Sequence, residues 1–310
     1  MIFHAAIRRA GCAAAAIATL AAVPAGASEI GNAQTRRIVA VGGALTEIVY
    51  ALGLQDRLVG IDTTSLYPPE ALQQKPSVGY MRQLSAEGVL GLNPELILAT
   101  EGSGPKETLS VLTEAKVPIV TVPEHFSEDG ILERIKIVAH ELGADARGNC
   151  LSEAVTRDLA ALRKLREKIV DKRRVMFVIS YVNGRAMVAG RKTAAHEIIA
   201  LAGATNAIDG YDGYKPLSDE AIVAAKPDVL MVMQRGRDQI SSEAIFGNAA
   251  FALTPAAKDK AFIAMDGLYL LGFGPRTAAA ARDLAVSLYP ALAAADEMGK
   301  PSVLTVNCRQ

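Results

Sequence analysis

The chain has 310 residues, half of them hydrophobic, with 33 Lys plus Arg against 33 Asp plus Glu. It is long enough to bury one large core or two modest ones. Its balanced charge argues against a protein that holds a phosphate backbone or an anionic membrane surface by net positive charge, so nucleic acid is not an expected partner.

The first 27 residues differ from the rest. Arg8 and Arg9 precede an apolar, Ala-rich run from Ala13 to Val23, and Ala25-Gly26-Ala27 closes the segment. A charged start, a short apolar run and small residues at the end predict a cleavable secretory signal peptide over residues 1–27, cut after Ala27. At about 11 residues the run falls short of the roughly 20 that a helix needs to cross a bilayer. Cys12 precedes it instead of following it, which argues against a lipid anchor. No integral membrane segment is expected after processing, and the mature protein is expected in the periplasm. Two cysteines then remain, Cys150 and Cys308, in a compartment that permits disulfides; their separation along the chain leaves pairing open. No CxxC, CxxCH or His/Cys cluster occurs, which argues against structural zinc, CxxC redox chemistry and covalently attached haem.

From residue 36 onward, apolar β-rich runs alternate with amphipathic helical stretches. Arg37-Ile38-Val39-Ala40-Val41, Leu58-Val59-Gly60-Ile61, Leu96-Ile97-Leu98-Ala99 and Pro118-Ile119-Val120-Thr121-Val122 come first. Arg174-Val175-Met176-Phe177-Val178-Ile179, Asp228-Val229-Leu230-Met231-Val232 and Ala261-Phe262-Ile263-Ala264 follow. Such alternation predicts parallel sheet with crossover helices. Between the two sets, Leu151, Val155, Leu159, Leu162, Leu165 and Ile169 recur at helical spacing with no proline, which predicts one long helix. The expected fold class is therefore α/β, two Rossmann-like lobes joined by one long interdomain helix. The expected division is a first lobe over 36–147, a linker helix over 148–172, a second lobe over 173–290 and a tail over 291–310.

The halves repeat one another. Leu84-Ser85-Ala86-Glu87-Gly88-Val89 through Asn93-Pro94-Glu95-Leu96-Ile97-Leu98 lies on Leu217-Ser218-Asp219-Glu220-Ala221-Ile222 through Lys226-Pro227-Asp228-Val229-Leu230-Met231 at an offset of 133 residues. In each copy a serine caps a short helix with acid in its first turn, and Pro plus an acid ends it before a buried strand. A weaker echo relates Glu47-Ile48 to Glu197-Ile198, each after a Gly-containing loop. No GxSxG, GxGxxG, P-loop or HExxH is present, and the glycines at Gly102, Gly104, Gly272 and Gly274 read as turns, so an enzyme is not expected.

Two α/β lobes on one long helix behind a leader resemble the cobalamin, siderophore and haem class of periplasmic binding proteins, over about residues 36 to 290. Within that class, Ser77-Val78-Gly79-Tyr80-Met81-Arg82-Gln83-Leu84-Ser85-Ala86-Glu87 is similar to the haem-ligand loop of the haemin-binding (HmuT-type) branch. The resemblance implies that haem is the transported ligand, that Tyr80 is the axial ligand of its iron, and that Arg82 lies beside it. The chemistry is coherent, since a phenolate is a hard anionic donor suited to ferric iron and Tyr is a known haem ligand. Arg235 and Arg237, just past an apolar strand, are expected at the same cleft, because open α/β sheets bind ligands beyond the carboxyl ends of their strands. Tyr214 occupies nearly the position of Tyr80 in the repeat and is expected to wall the ligand from the other lobe, with Tyr211 close by. Tyr181, Asn183 and Arg185 follow another second-lobe strand and are expected to line the cleft. His125, His140 and His196 have no metal-ligand spacing; His140 and His196 are expected in surface or packing roles, and His125, in the loop Pro123-Glu124-His125-Phe126 that could approach the cleft mouth, is assigned no role. The resemblance further implies that Glu87 and Glu220, one on each lobe, dock against an ABC permease dimer. Each also sits where a helix N-terminus favours an acid. A carrier of cobalamin or a ferric siderophore on the same fold is the alternative.

Overall fold

The computed structural model describes residues 1–2, 37–234, 240–296 and 299–309. Apart from its first two residues, the expected leader lies outside them, as do Arg235 and Arg237. Among the described residues no helix is long and apolar enough to cross a membrane.

The first lobe is built on β1 (Ile38–Val41), β2 (Leu58–Ile61), the two-residue β3 (Gly79–Tyr80) and β4 (Gln83–Leu84), β5 (Leu96–Thr100) and β6 (Ile119–Val122). Four of these form a wholly parallel sheet in the order β2-β1-β5-β6, with β1 facing β5 from Ile38↔Leu96 to Val41↔Ala99. Every residue of β1 and β5 is buried. That is why these strands read as unbroken apolar runs, since a parallel sheet is covered on both faces. β3 and β4 pair with each other as a short antiparallel hairpin.

The second lobe carries β7 (Arg174–Val182), β8 (Arg185–Ala189), β9 (Thr205–Asn206), β10 (Tyr214–Pro216), β11 (Val229–Gln234) and β12 (Phe262–Asp266). The order is β10-β8-β7-β11-β12, with β9 alongside the start of β7. β7, β9, β11 and β12 run parallel, while β8 pairs antiparallel with β7 and β10 pairs antiparallel with β8. The repeat is visible at the level of hydrogen bonds. The Ser85 hydroxyl accepts the Gly88 N–H at 3.1 Å ahead of β5, and the Ser218 hydroxyl accepts that of Ala221 at 3.3 Å ahead of β11.

Between the lobes, the helix Asp145–Arg166 has 22 residues, a length of about 33 Å at 1.5 Å per residue. It begins before and stops short of the span expected from periodicity. After Arg166 the Lys168 and Ile169 amides bond to Leu165 and Arg166 in tighter turns, and Ile169 leaves the helix to pack on the core. Leu151, Val155, Leu159, Leu162 and Leu165 are buried in one cluster that also contains Ile48 and Leu98 of the first lobe and Phe177 and Leu284 of the second. Each such side chain stabilises the fold by about 1.5–3 kcal/mol, so parting the lobes would expose a shared core. Two further clusters cover the outer faces of the two sheets.

The tail is tied to the same helix. Cys150 and Cys308 form a disulfide, which settles the pairing left open by the sequence. Asp158, almost wholly buried on the helix, accepts the N–H groups of Ser302 (2.7 Å) and Val303 (3.0 Å) at the start of the short helix Ser302–Thr305. Val303 and Val306 pack against the central core. The disulfide joins residues 158 apart in sequence and restricts a long stretch of unfolded chain. Cys308→Ser is expected to lower unfolding free energy by about 2–4 kcal/mol in denaturant titration, with the variant insensitive to reductant. Equal stability of variant and wild type would show that the crosslink constrains nothing that unfolds.

Candidate functional site

The carboxyl ends of the parallel strands in both lobes converge on a cavity of about 410 Å³. From the first lobe it is lined by Gly42, Gly43, Thr63, Thr64, Tyr80, Met81, Thr100, Glu124 and Arg134, and from the second by Met233, Gly267, Leu268, Leu271 and Gly272. Loops at these strand ends have no ladder of their own to hold them, so side chains must. Asp62, fully buried after β2, accepts the Gly42 N–H at 2.9 Å, the Thr64 N–H at 3.0 Å and the hydroxyls of Thr64 and Ser65. One carboxylate thus fixes two rim loops. Gly42 and Gly43 are required by space: a Cβ on Gly42 would fall 2.1 Å from Thr100 Oγ1, and one on Gly43 would fall 2.6 Å from Leu268 of the other lobe.

Tyr80 stands on the β3–β4 hairpin, which is held by the Gly104 N–H donating to Met81 O and the Leu84 N–H donating to Gly104 O, each at 2.9 Å. Its side chain is 38% exposed and lines the cavity. Tyr214, on β10 of the second lobe, is 36% exposed. Burial of its hydroxyl end pushes the Tyr214 phenol up; hydrogen bonding with Thr193 and the Ala195 main chain opposes this, Glu124 adds to it and Arg82 lowers it. Arg82, Glu124 and Tyr214 therefore share one electrostatic neighbourhood although they come from different lobes.

Glu124 follows β6, and its carboxyl is pushed above the usual range by burial, with Arg134 and Arg82 pulling down and Glu101 pushing up. Arg134, on the helix Glu128–Glu141, spans the lobes: Nη1 donates to the carbonyls of Gly272 and Phe273 at 3.0 Å each, and Nη2 to that of Pro123 at 3.3 Å. Beside it Phe126 meets Phe273 edge-on with centroids 5.3 Å apart. A second tie joins Glu47 of the first lobe to Arg276 of the second at 2.9 Å, both largely buried, with the guanidinium 3.4 Å above the Tyr67 ring.

Of the expected site residues Tyr80 lines the cavity, whereas Arg82 and Tyr214 are not on its wall, although Arg82 acts on the Tyr214 phenol from the other lobe. Nor does the structure bring Tyr181 and Arg185 to the cavity wall. An extra residue in β7, between Val178 and Ser180 in its pairing with β8, reverses the side-chain alternation. Tyr181 consequently turns to the outer face of the sheet, edge-on to Phe251 at 6.2 Å. Arg185 is exposed beyond the Asn183-Gly184 turn. Arg235 and Arg237 lie outside the described residues; Met233, near the end of the preceding strand, reaches the cavity. Glu87 and Glu220 are exposed in the first turns of the helices Ala86–Leu90 and Asp219–Ala225. Glu220 is held below the usual carboxylate range chiefly by its own main-chain N–H and by Ser218. Tyr211 donates its hydroxyl to Val188 O at 3.0 Å, a packing role. His125 and His140 are exposed beside Glu133 and Asp145, and His196 faces Asn206. Among the described residues no group of three or more His, Cys, Asp or Glu is placed to hold a metal ion.

Sequence reasoning missed Asp62, Glu124 and Arg134. Two of them follow strand carboxyl ends, and Arg134 left a signal of its own: it shares a buried helix face with Ile131, Ile135 and Val138, where a charge is out of place unless something receives it.

The family described as periplasmic binding protein matches residues 38–268. Two solved structures superpose over 83% of this chain with a TM-score of 0.79. The periplasmic heme-binding protein RhuT from Roseiflexus sp. RS-1 is 40% identical and covered over 99% of its length. The periplasmic heme-binding protein BhuT in complex with two hemes is 38% identical and covered over 98%. An uncharacterized ABC transporter substrate-binding lipoprotein, YvrC of Bacillus subtilis (strain 168), is 27% identical over 260 residues, 83% of this chain and 81% of its own. The vitamin B12-binding protein of Yersinia pestis (strain Pestoides F) is 26% identical over 222 residues, 71% of this chain and 75% of its own.

A carboxyl whose folded pKa lies above its unfolded value of about 4.3 weakens the fold once pH exceeds that unfolded value, because the unfolded chain ionises first. Glu124→Gln is therefore expected to be more stable than wild type near neutral pH, the gain disappearing below about pH 4. Urea unfolding across that range checks it, and a variant less stable at neutral pH would contradict the assignment.

Proposed function

The chain belongs to the periplasmic binding protein family, and on that premise we propose that it captures haem in the periplasm and delivers it to the permease of an ABC importer. It is a binding protein and not an enzyme, as its family and structural neighbours are. The observation that carries the cargo is Tyr80: a partly exposed phenol on a short braced hairpin in the interlobe cavity, with Arg82 two residues on. A phenolate oxygen suits ferric iron. The mostly glycine and aliphatic second-lobe wall offers a porphyrin apolar surface. The two heme-binding neighbours at 38% and 40% identity support the same cargo.

Arg82 is proposed to sit beside the iron ligand, Tyr214 to wall the ring from the second lobe, and Arg235 and Arg237 to contribute to ligand binding. Glu87 and Glu220 are proposed to dock on the permease dimer: they sit on equivalent helices of the two lobes, so a two-fold partner meets the same charge twice, which favours orientation and encounter rate over affinity. Residues 1–27 are proposed to be removed on export.

Haemin titration of the purified mature protein is expected to give a Soret band that shifts on binding, and Tyr80→Phe is expected to lose it or bind at least about a hundredfold more weakly, the scale of about 3 kcal/mol. Vitamin B12-binding relatives make a corrinoid the natural counter-probe: a protein that ignores haemin and takes cobalamin would replace this reading. The pair Glu87→Ala and Glu220→Ala is expected to leave haemin affinity unchanged while abolishing stimulation of the reconstituted importer's ATPase. Unaltered stimulation would remove the docking role.

A further inference from the structure

A buried cation is costly unless a counter-ion balances it, and Arg134 is buried without one. Its side chain is 1% exposed and contributes to the wall of the interlobe cavity. Its hydrogen bonds all run to main-chain oxygens, those of Gly272, Phe273 and Pro123, and Nε has no partner. Carbonyl dipoles solvate the guanidinium but do not cancel its charge. Among the described residues no carboxylate forms an ion pair with it; Glu124 and Glu133 act on it from a distance. Glu124, which shares the cavity wall, is the acid that competes with a ligand for this charge.

We propose that Arg134 is the residue that selects anionic cargo, receiving a carboxylate of the ligand so that the cavity prefers a carboxylate-bearing ring to the same ring with its acids masked. The inference rests on the reading of the cavity as a haem site and deepens it, since haem carries two carboxylates on one edge of an apolar disc. A carboxylate near this guanidinium supplies the balance that the protein withholds. Because the same side chain holds the Gly272–Phe273 turn of the second lobe to the first, recognition of the anion is joined to the alignment of the lobes.

Ferric protoporphyrin and its dimethyl ester share iron and ring and differ only in charge at the acids. Both are titrated into wild type, Arg134→Met, Arg134→Lys and Glu124→Gln, with circular dichroism confirming the fold of each. Wild type is expected to prefer the free acid by about tenfold or more, the scale of one charge-assisted hydrogen bond. Arg134→Met is expected to abolish that preference, and Arg134→Lys to keep part of it. Glu124→Gln is expected to widen it by removing the competing carboxyl. Equal affinity of wild type for acid and ester overturns the inference and leaves the haem reading standing, as does a folded Arg134→Met with the preference intact. Should Arg134→Met fail to fold, the Glu124→Gln arm decides, and a preference that does not widen counts against the proposal. Failure of wild type to bind either porphyrin overturns the cargo and this inference together.

Discussion

One apolar core runs unbroken from the first sheet to the second, and the shape of the interlobe cavity depends on it. The stripe Leu151, Val155, Leu159, Leu162 and Leu165 on the helix Asp145–Arg166 is buried against residues of both lobes. The lobes therefore cannot part widely without exposing surface worth several side chains of hydrophobic stabilisation. The buried Glu47–Arg276 pair and the Arg134 hydrogen bonds add directional ties, and the disulfide-bound tail fastens the same helix from outside. A scaffold this constrained presents a largely preformed cleft, which lowers the ordering cost that binding would otherwise carry.

Within that cleft the polar groups are few and unlike one another. Two tyrosines come from equivalent places in duplicated halves, yet their surroundings differ. Tyr80 rides a two-stranded hairpin over the cavity, whereas Tyr214 has its hydroxyl end buried and hydrogen-bonded with Thr193 and the Ala195 main chain. The more exposed phenol is the better placed to meet a metal. The more enclosed one is suited to packing against a ring. Around them Arg82 and Arg134 supply positive charge, and Glu124, raised by burial, is the acid that tempers it.

What was legible in the sequence was whatever has a period or a local signature. Fully buried parallel strands read as continuous apolar runs, the connector as a stripe at helical spacing, and the repeat as Ser85 and Ser218 capping equivalent helices. The stretch around Tyr80 could be singled out because its residues are contiguous, though as a loop and not as the hairpin it forms. Long-range facts were not. Cys150 and Cys308 lie too far apart in sequence for spacing to pair them, and Glu47 and Arg276 are 229 residues apart. The misplacement of Tyr181 has a local cause: one inserted residue in β7 reverses alternation beyond Val178, so a residue expected to line the cleft packs on the outer face instead. Arg134 was hidden by its neighbours, since a helix face of Ile131, Ile135 and Val138 reads as core, and its value lies in where a distant turn places its acceptors.

The proposed function puts ferric porphyrin in the interlobe cavity with its iron on the Tyr80 oxygen. A crystal structure of the protein loaded with haemin tests it most directly. The iron is expected on Tyr80 Oη, with the ring between the lobes beside Tyr214 and a ring carboxylate turned toward Arg134. A porphyrin bound outside that cavity, or an iron ligated there by some other side chain while the Tyr80 phenol points away, would contradict it.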